Sequence, residues 1–122
     1  MRALALVVLG GSLGTLSRFG VNETLPDEGL FPWATFIVNV IGSFALGVLL
    51  AAVLHRRSQS LRLLLGTGFL GGFTTYSALA VETDALLRGD HLVLGIAYAV
   101  GSVIAGLAAA LAGVALGSRS RA

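Results

Sequence analysis

The sequence has 122 residues, 56% of them hydrophobic and only 11% charged, with a mean hydropathy of +0.91. A soluble domain carries about 25% charged residues, so the composition specifies an integral membrane protein. The formal charge of +2 comes from arginines scattered at segment ends, without a lysine or a basic patch, which excludes nucleic-acid binding; zero cysteines exclude disulfides, thiolate metal sites and cysteine nucleophiles.

At about 20 residues per crossing, the chain is expected to form a single all-α membrane domain, 1–122, with four transmembrane helices at about 3–21, 31–54, 63–81 and 92–118. So short a chain cannot surround a wide pore alone, and an oligomer is expected. The first helix begins after Arg2 and runs uncharged to Arg18. A basic start and an apolar core also suit a signal peptide, but no small-residue cleavage site follows and Gly10, Gly11 and Gly14 interrupt the core. Gly10 and Gly14 give this helix a smooth face for close packing. The polar stretch 22–30 forms a loop. The second helix opens with Pro32 and Trp33, and its polar residues Thr35, Asn39 and Ser43 recur every four residues along one face. A basic loop with His55, Arg56 and Arg57 follows.

The third helix contains the most unusual stretch, Gly66-Thr-Gly-Phe-Leu-Gly-Gly-Phe-Thr-Thr-Tyr-Ser77. Glycine and hydroxyl clusters mark irregular backbone, which persists in hydrocarbon only where protein or a polar cavity covers it. The segment therefore reads as a transmembrane helix broken in the middle, closing with Glu82, Asp84, Arg88 and Asp90 in a polar loop. The fourth helix is glycine- and alanine-rich, with Tyr98 and Ser102 one turn apart and Gly113 and Gly117 as a second packing face. Arg2, Arg56, Arg57, Arg62, Arg119 and Arg121 fall on one side and only Arg18 and Arg88 on the other. The positive-inside rule then makes both termini cytoplasmic in a multi-pass cell-membrane protein.

The donors expected at membrane depth are Thr35, Asn39, Thr74, Thr75, Tyr76, Ser77, Tyr98 and Ser102, with no lysine or histidine among them. Neutral donors with Arg18 near one mouth suit a partly dehydrated small anion, bound weakly enough to leave. Any single hydroxyl can instead bond its own helix, and Asn39 can serve as interhelical glue or as a donor to a permeating ion. Phe69 and Phe73 are expected to pack. The glycine break has the opposite polarity, since unwound carbonyls coordinate small hard cations, although a simple kink would need the same glycines.

These residues closely resemble the Fluc (CrcB) family of fluoride channels. The matching elements are Gly10-Gly11-x-x-Gly14 with Ser17-Arg18-Phe19, Thr35-x-x-x-Asn39-x-x-Gly42-Ser43-Phe44, Gly68-Phe-x-Gly-Gly-Phe-Thr-Thr-Tyr-Ser77, and Glu82. The resemblance implies a passive, non-enzymatic fluoride exporter that relieves fluoride toxicity. It further implies an antiparallel, dual-topology dimer with two narrow pores and a structural, untransported Na+ at its centre. The sodium would be held by the backbone carbonyls of Gly71 and Thr74. An anion path would involve Asn39, Tyr76, Ser77, Thr75, Thr35, Tyr98, Ser102, Glu82 and Arg18.

Three departures stand out. The family's T-T-F-S-T-F run is here Thr74-Thr75-Tyr76-Ser77-Ala78-Leu79, so the second ring position holds a leucine and a hydroxyl is missing. The six-to-two arginine bias is also large for a chain that inserts both ways, so the partner is either a second copy or an oppositely oriented homologue. A small proton-coupled drug exporter would need a membrane-embedded carboxylate in the first helix, which has none. A non-transporting scaffold or accessory subunit would need only the glycine faces.

Overall fold

In the computed structural model, residues 1–25, 28–53 and 58–119 are described. Arg56, Arg57 and Arg121, which contribute to the charge bias above, lie outside these residues, as do Pro26, Asp27 and His55. Among the described residues, all regular structure is helical: α1 (Arg2–Thr24), α2 (Trp33–Val53), α3 (Gln59–Leu61), a π-helical stretch (Arg62–Leu70), α4 (Gly71–Phe73), α5 (Tyr76–Arg88) and α6 (Leu92–Arg119). Four helical units are long and apolar enough to cross a membrane, the third being the interrupted unit Gln59–Arg88. Its mean hydropathy of 1.3 is the lowest of the four, because it carries both the hydroxyl-rich break and the acidic end.

The helix ends follow local chemistry. Thr24 and the amide of Leu25 both bond the carbonyl of Val21, closing the last turn of α1. Pro32 sits just ahead of α2, where its carbonyl accepts the amide of Phe36 and its missing N–H costs nothing. Between α5 and α6 the chain reverses in a tight turn through Gly89 and Asp90, the latter at φ 61°, a left-handed conformation that aspartate tolerates better than most residues.

The spans pack in two parallel pairs built on glycine. A Cβ on Gly10 would run into the carbonyl of Leu64, and one on Gly14 into that of Phe69, so α1 lies backbone-to-backbone along the first half of the third span. Gly72 meets Gly11 in the same seam. Likewise Gly47 abuts Ala110, Gly113 abuts Phe44, and Gly117 abuts Ala51, binding α2 to α6. Without the hydrophobic effect to drive association in lipid, such close approach maximises dispersion contacts. Beyond the break, α5 turns away from α1 and packs on α6. The break is therefore where the third span changes partners. Arg2, Arg62 and Arg119 consequently share one end of the bundle.

One sequence expectation is corrected here. Glu82 and Asp84 belong to a loop in the sequence reading, whereas α5 continues through both to Arg88. The extension is held by the Arg88–Asp84 pair at 2.7 Å one turn apart, and by Glu82, which accepts hydroxyls from two other helices.

Candidate functional site

The third span breaks because two consecutive residues, Thr74 and Thr75, adopt extended backbone (ψ 159° and 119°). Three helices hold them there. From α2, Asn39 uses both ends of its amide: Oδ1 accepts the N–H of Thr75 at 2.8 Å, and Nδ2 donates to the carbonyl of Thr75 at 2.9 Å. From α1, Arg18 Nη1 donates to the carbonyl of Thr74 at 3.2 Å and Thr15 reaches the carbonyl of Gly72 at 3.5 Å. From within, the Thr75 hydroxyl caps α5 by accepting the amide of Ala78 at 3.2 Å and lies 3.2 Å from the Ser77 hydroxyl. Since the amide of Thr75 goes to Asn39, it does not close a helical turn on the carbonyl of Gly71, a residue exposed on the surface of the chain.

The stretch leading into the break is widened to a π-helix, in which the amide of Gly71 reaches back to the carbonyl of Gly66. Such i→i+5 turns recur at functional sites. Phe69 and Phe73 stack at 5.9 Å with Phe73 buried, the packing role expected for them. A cleft of about 360 Å³ opens against the break, lined by Asn39, Ser43, Gly71, Thr74, Thr75 and Tyr76, with Leu46, Leu70 and Leu79 among its apolar walls. Tyr76, at the start of α5, is 83% exposed, and Ser77 is exposed beside it.

A second polar cluster lies further along α5. Glu82 accepts two hydroxyls, from Thr35 of α2 at 2.8 Å on Oε1 and from Tyr98 of α6 at 2.6 Å on Oε2. Thr35 and Tyr98 are buried, the latter completely. The ring of Phe31, in the segment before α2, packs edge-on to Tyr98 at 5.3 Å. One turn from Tyr98, Ser102 is buried with no hydrogen-bond partner for its hydroxyl among the described residues. A buried hydroxyl left so costs free energy.

The structure thus sorts the expected site residues into two groups. Asn39, Thr74, Thr75, Tyr76, Ser77, Gly71 and Arg18 gather at the break. Thr35, Glu82 and Tyr98 form the carboxylate cluster, with Ser102 a turn away. Several hydroxyl and amide donors already serve the protein: those of Thr35 and Tyr98 go to Glu82, and one Nδ2 hydrogen of Asn39 goes to Thr75. Arg18 lies on a break carbonyl. Thr74 donates to its own helix at Leu70. Sequence reasoning missed Thr15, although a hydroxyl next to a packing glycine at membrane depth is visible in the sequence. Among the described residues there is no cluster of histidine, cysteine and carboxylate side chains able to hold a metal ion.

Comparison with known proteins matches residues 5–114 to the family described as CrcB-like protein, Camphor Resistance (CrcB). The chain belongs to the CrcB family. Among its CrcB relatives, the fluoride-specific ion channel FluC 2 of Leifsonia xyli subsp. xyli is 45% identical over 122 residues, covering 96% of this chain and 84% of its own. The fluoride-specific ion channel FluC 2 of Rhodococcus jostii is 48% identical over 113 residues, covering 93% and 96%. A fluoride-specific ion channel FluC of Thermus thermophilus is 43% identical over 120 residues, covering 96% of each chain. These CrcB relatives are named as ion channels rather than enzymes.

Proposed function

We propose that this chain is a subunit of a fluoride-selective channel that lets fluoride leave the cytoplasm passively. The observation that carries this reading is the near full-length identity to proteins named as fluoride-specific ion channels. The polar groups support it chemically. Fluoride is small and strongly hydrated, so a path for it must replace water with hydrogen-bond donors. Asn39 retains a second Nδ2 hydrogen beside the cleft, and Tyr76 and Ser77 stand at the cleft mouth and on the adjoining surface. At the second cluster, an anion would draw the hydroxyls of Thr35 and Tyr98 away from Glu82, exchanging one acceptor for another. Fluoride enters cells as neutral hydrogen fluoride and is trapped as the ion near neutral pH; the membrane potential then drives the anion out through an open path.

The working unit in this reading is an antiparallel pair, which would cover the cleft and the exposed Gly71, whose carbonyl is without its helical donor. A structural sodium ion fits that carbonyl, which lacks its helical donor, together with the carbonyl of Thr74; when bound it would neutralise the main-chain dipoles at the break. The arginine bias and the Ala78-Leu79 departure favour an oppositely oriented homologue as partner. Purified chain in liposomes, loaded with potassium fluoride and released by valinomycin, tests the function with a fluoride electrode. Rapid fluoride efflux with negligible chloride efflux is expected. No efflux, alone or with a co-expressed homologous subunit, would refute the channel and favour the scaffold. Cysteine accessibility at the termini tests the orientation, and equal labelling from both sides would refute the heteromeric pair.

A further inference from the structure

Arg18 is the only charged residue between Arg2 and Glu23, and it lies directly on the break. Its Nη1 donates to the carbonyl of Thr74, and among the described residues the one ion pair is Arg88–Asp84, so no described carboxylate pairs with Arg18. A guanidinium stays protonated in any protein environment. The carbonyl of Thr74 therefore already has a full positive charge in hydrogen-bonding contact. A carbonyl oxygen has two lone pairs and can accept a second ligand, but a second cation on the same oxygen would stand on the order of 5 Å from the guanidinium. At that separation like charges repel strongly enough to weaken binding by about tenfold or more, even at a surface-like dielectric. Asn39, the other clamp on the break, is neutral and imposes no such penalty.

We propose that Arg18 competes with sodium for the Thr74 carbonyl, so that a side chain of α1 sets how tightly the break holds its cation. The inference rests on the sodium reading above and adds the residue that tunes it. Because binding couplings are reciprocal, sodium must loosen Arg18 as much as Arg18 weakens sodium.

The test is a thermal-stability titration of the full-length protein in detergent, with sodium chloride replacing N-methylglucamine chloride at constant ionic strength. Arg18→Gln is expected to lower the sodium concentration at the midpoint by about tenfold or more, whereas Arg18→Lys, which keeps the charge, stays near the unmodified chain. In the unmodified protein, the Nε–Hε resonance of Arg18 is expected to shift as sodium is added. An unchanged midpoint in Arg18→Gln, or a lysine variant as tight as the glutamine one, overturns the competition. Sodium stabilisation seen only in Arg18→Gln supports it and means that Arg18 wins outright. If neither protein responds to sodium, the sodium reading falls and the competition with it. Should Arg18→Gln fail to fold, the resonance decides, since an Arg18 signal indifferent to sodium also overturns the proposal.

Discussion

Replacing Asn39 by alanine removes the only side chain among the described residues that bonds both main-chain groups of Thr75. Two hydrogen bonds, at 2.8 and 2.9 Å, are lost together. Each contributes about 1 kcal/mol net, and a main-chain group left unsatisfied away from water costs about 1–3 kcal/mol. Interhelical bonds in lipid average nearer to about 0.6 kcal/mol because the unfolded chain also finds partners. The half-buried position of Asn39 lets water or lipid headgroups recover part of the loss. The expected destabilisation is therefore about 2–4 kcal/mol, measured by reversible unfolding in mixed micelles. Asn39→Asp divides the clamp, since a carboxylate still accepts the Thr75 amide but repels the Thr75 carbonyl. It should fall between the wild type and alanine in stability while slowing fluoride efflux at least as much as alanine does. Asn39→Ala with unaltered stability would show that the break holds itself and that the amide serves only the ion path.

Three further outcomes are expected. Gly14→Ala should abolish folding or assembly, because its Cβ would overlap the carbonyl of Phe69, whereas Gly20→Ala, with nothing within 4 Å, should leave expression and monodispersity on gel filtration unchanged. Tyr98→Phe strips one donor from the Glu82 side chain, and liposome efflux should slow by about tenfold or more, as loss of a hydrogen bond of about 1.5 kcal/mol would give; unchanged efflux would exclude that hydroxyl from the path. Ser102→Ala removes a buried hydroxyl that has no partner among the described residues and should raise stability by about 1 kcal/mol. If Ser102 also meets the anion, efflux falls at the same time, and a variant both less stable and fully active would refute the reading.

The four spans and the break were legible in the sequence because each rests on a local signal: uncharged length for the spans, and clustered glycine and hydroxyl residues for the break. The glycine seams were legible as pairs four residues apart, though not which helices they would join. The least legible features were the partners of polar atoms. Asn39 reads in the sequence as either glue or donor; the structure adds that it grips Thr75 from both sides, which depends on a register between α2 and the third span that no local pattern encodes. Arg18 belongs to the same class, since a charge at a helix end reads as a mouth residue until the backbone of another span is placed beneath it. Glu82 reads as a loop residue because an acidic group ends an apolar run; its partners Thr35 and Tyr98, 47 and 16 residues away in the chain, supply what keeps it helical. The π-helical stretch from Arg62 to Leu70, which lies against the glycine face of α1, had no sequence signature beyond its glycines.

The grip on Glu82 has a consequence for biogenesis. The carboxylate is shared between a helix made before it and one made after it, and the sixteen-residue separation from Glu82 to Tyr98 takes in the whole α5–α6 turn. While the ribosome is still adding α6, Thr35 alone can receive Glu82, and the second oxygen must stay with water or lipid headgroups. Arrival of Tyr98 completes the shell in the same movement that seats α6 against α2. The last span therefore closes the bundle by satisfying an acceptor left waiting by the third.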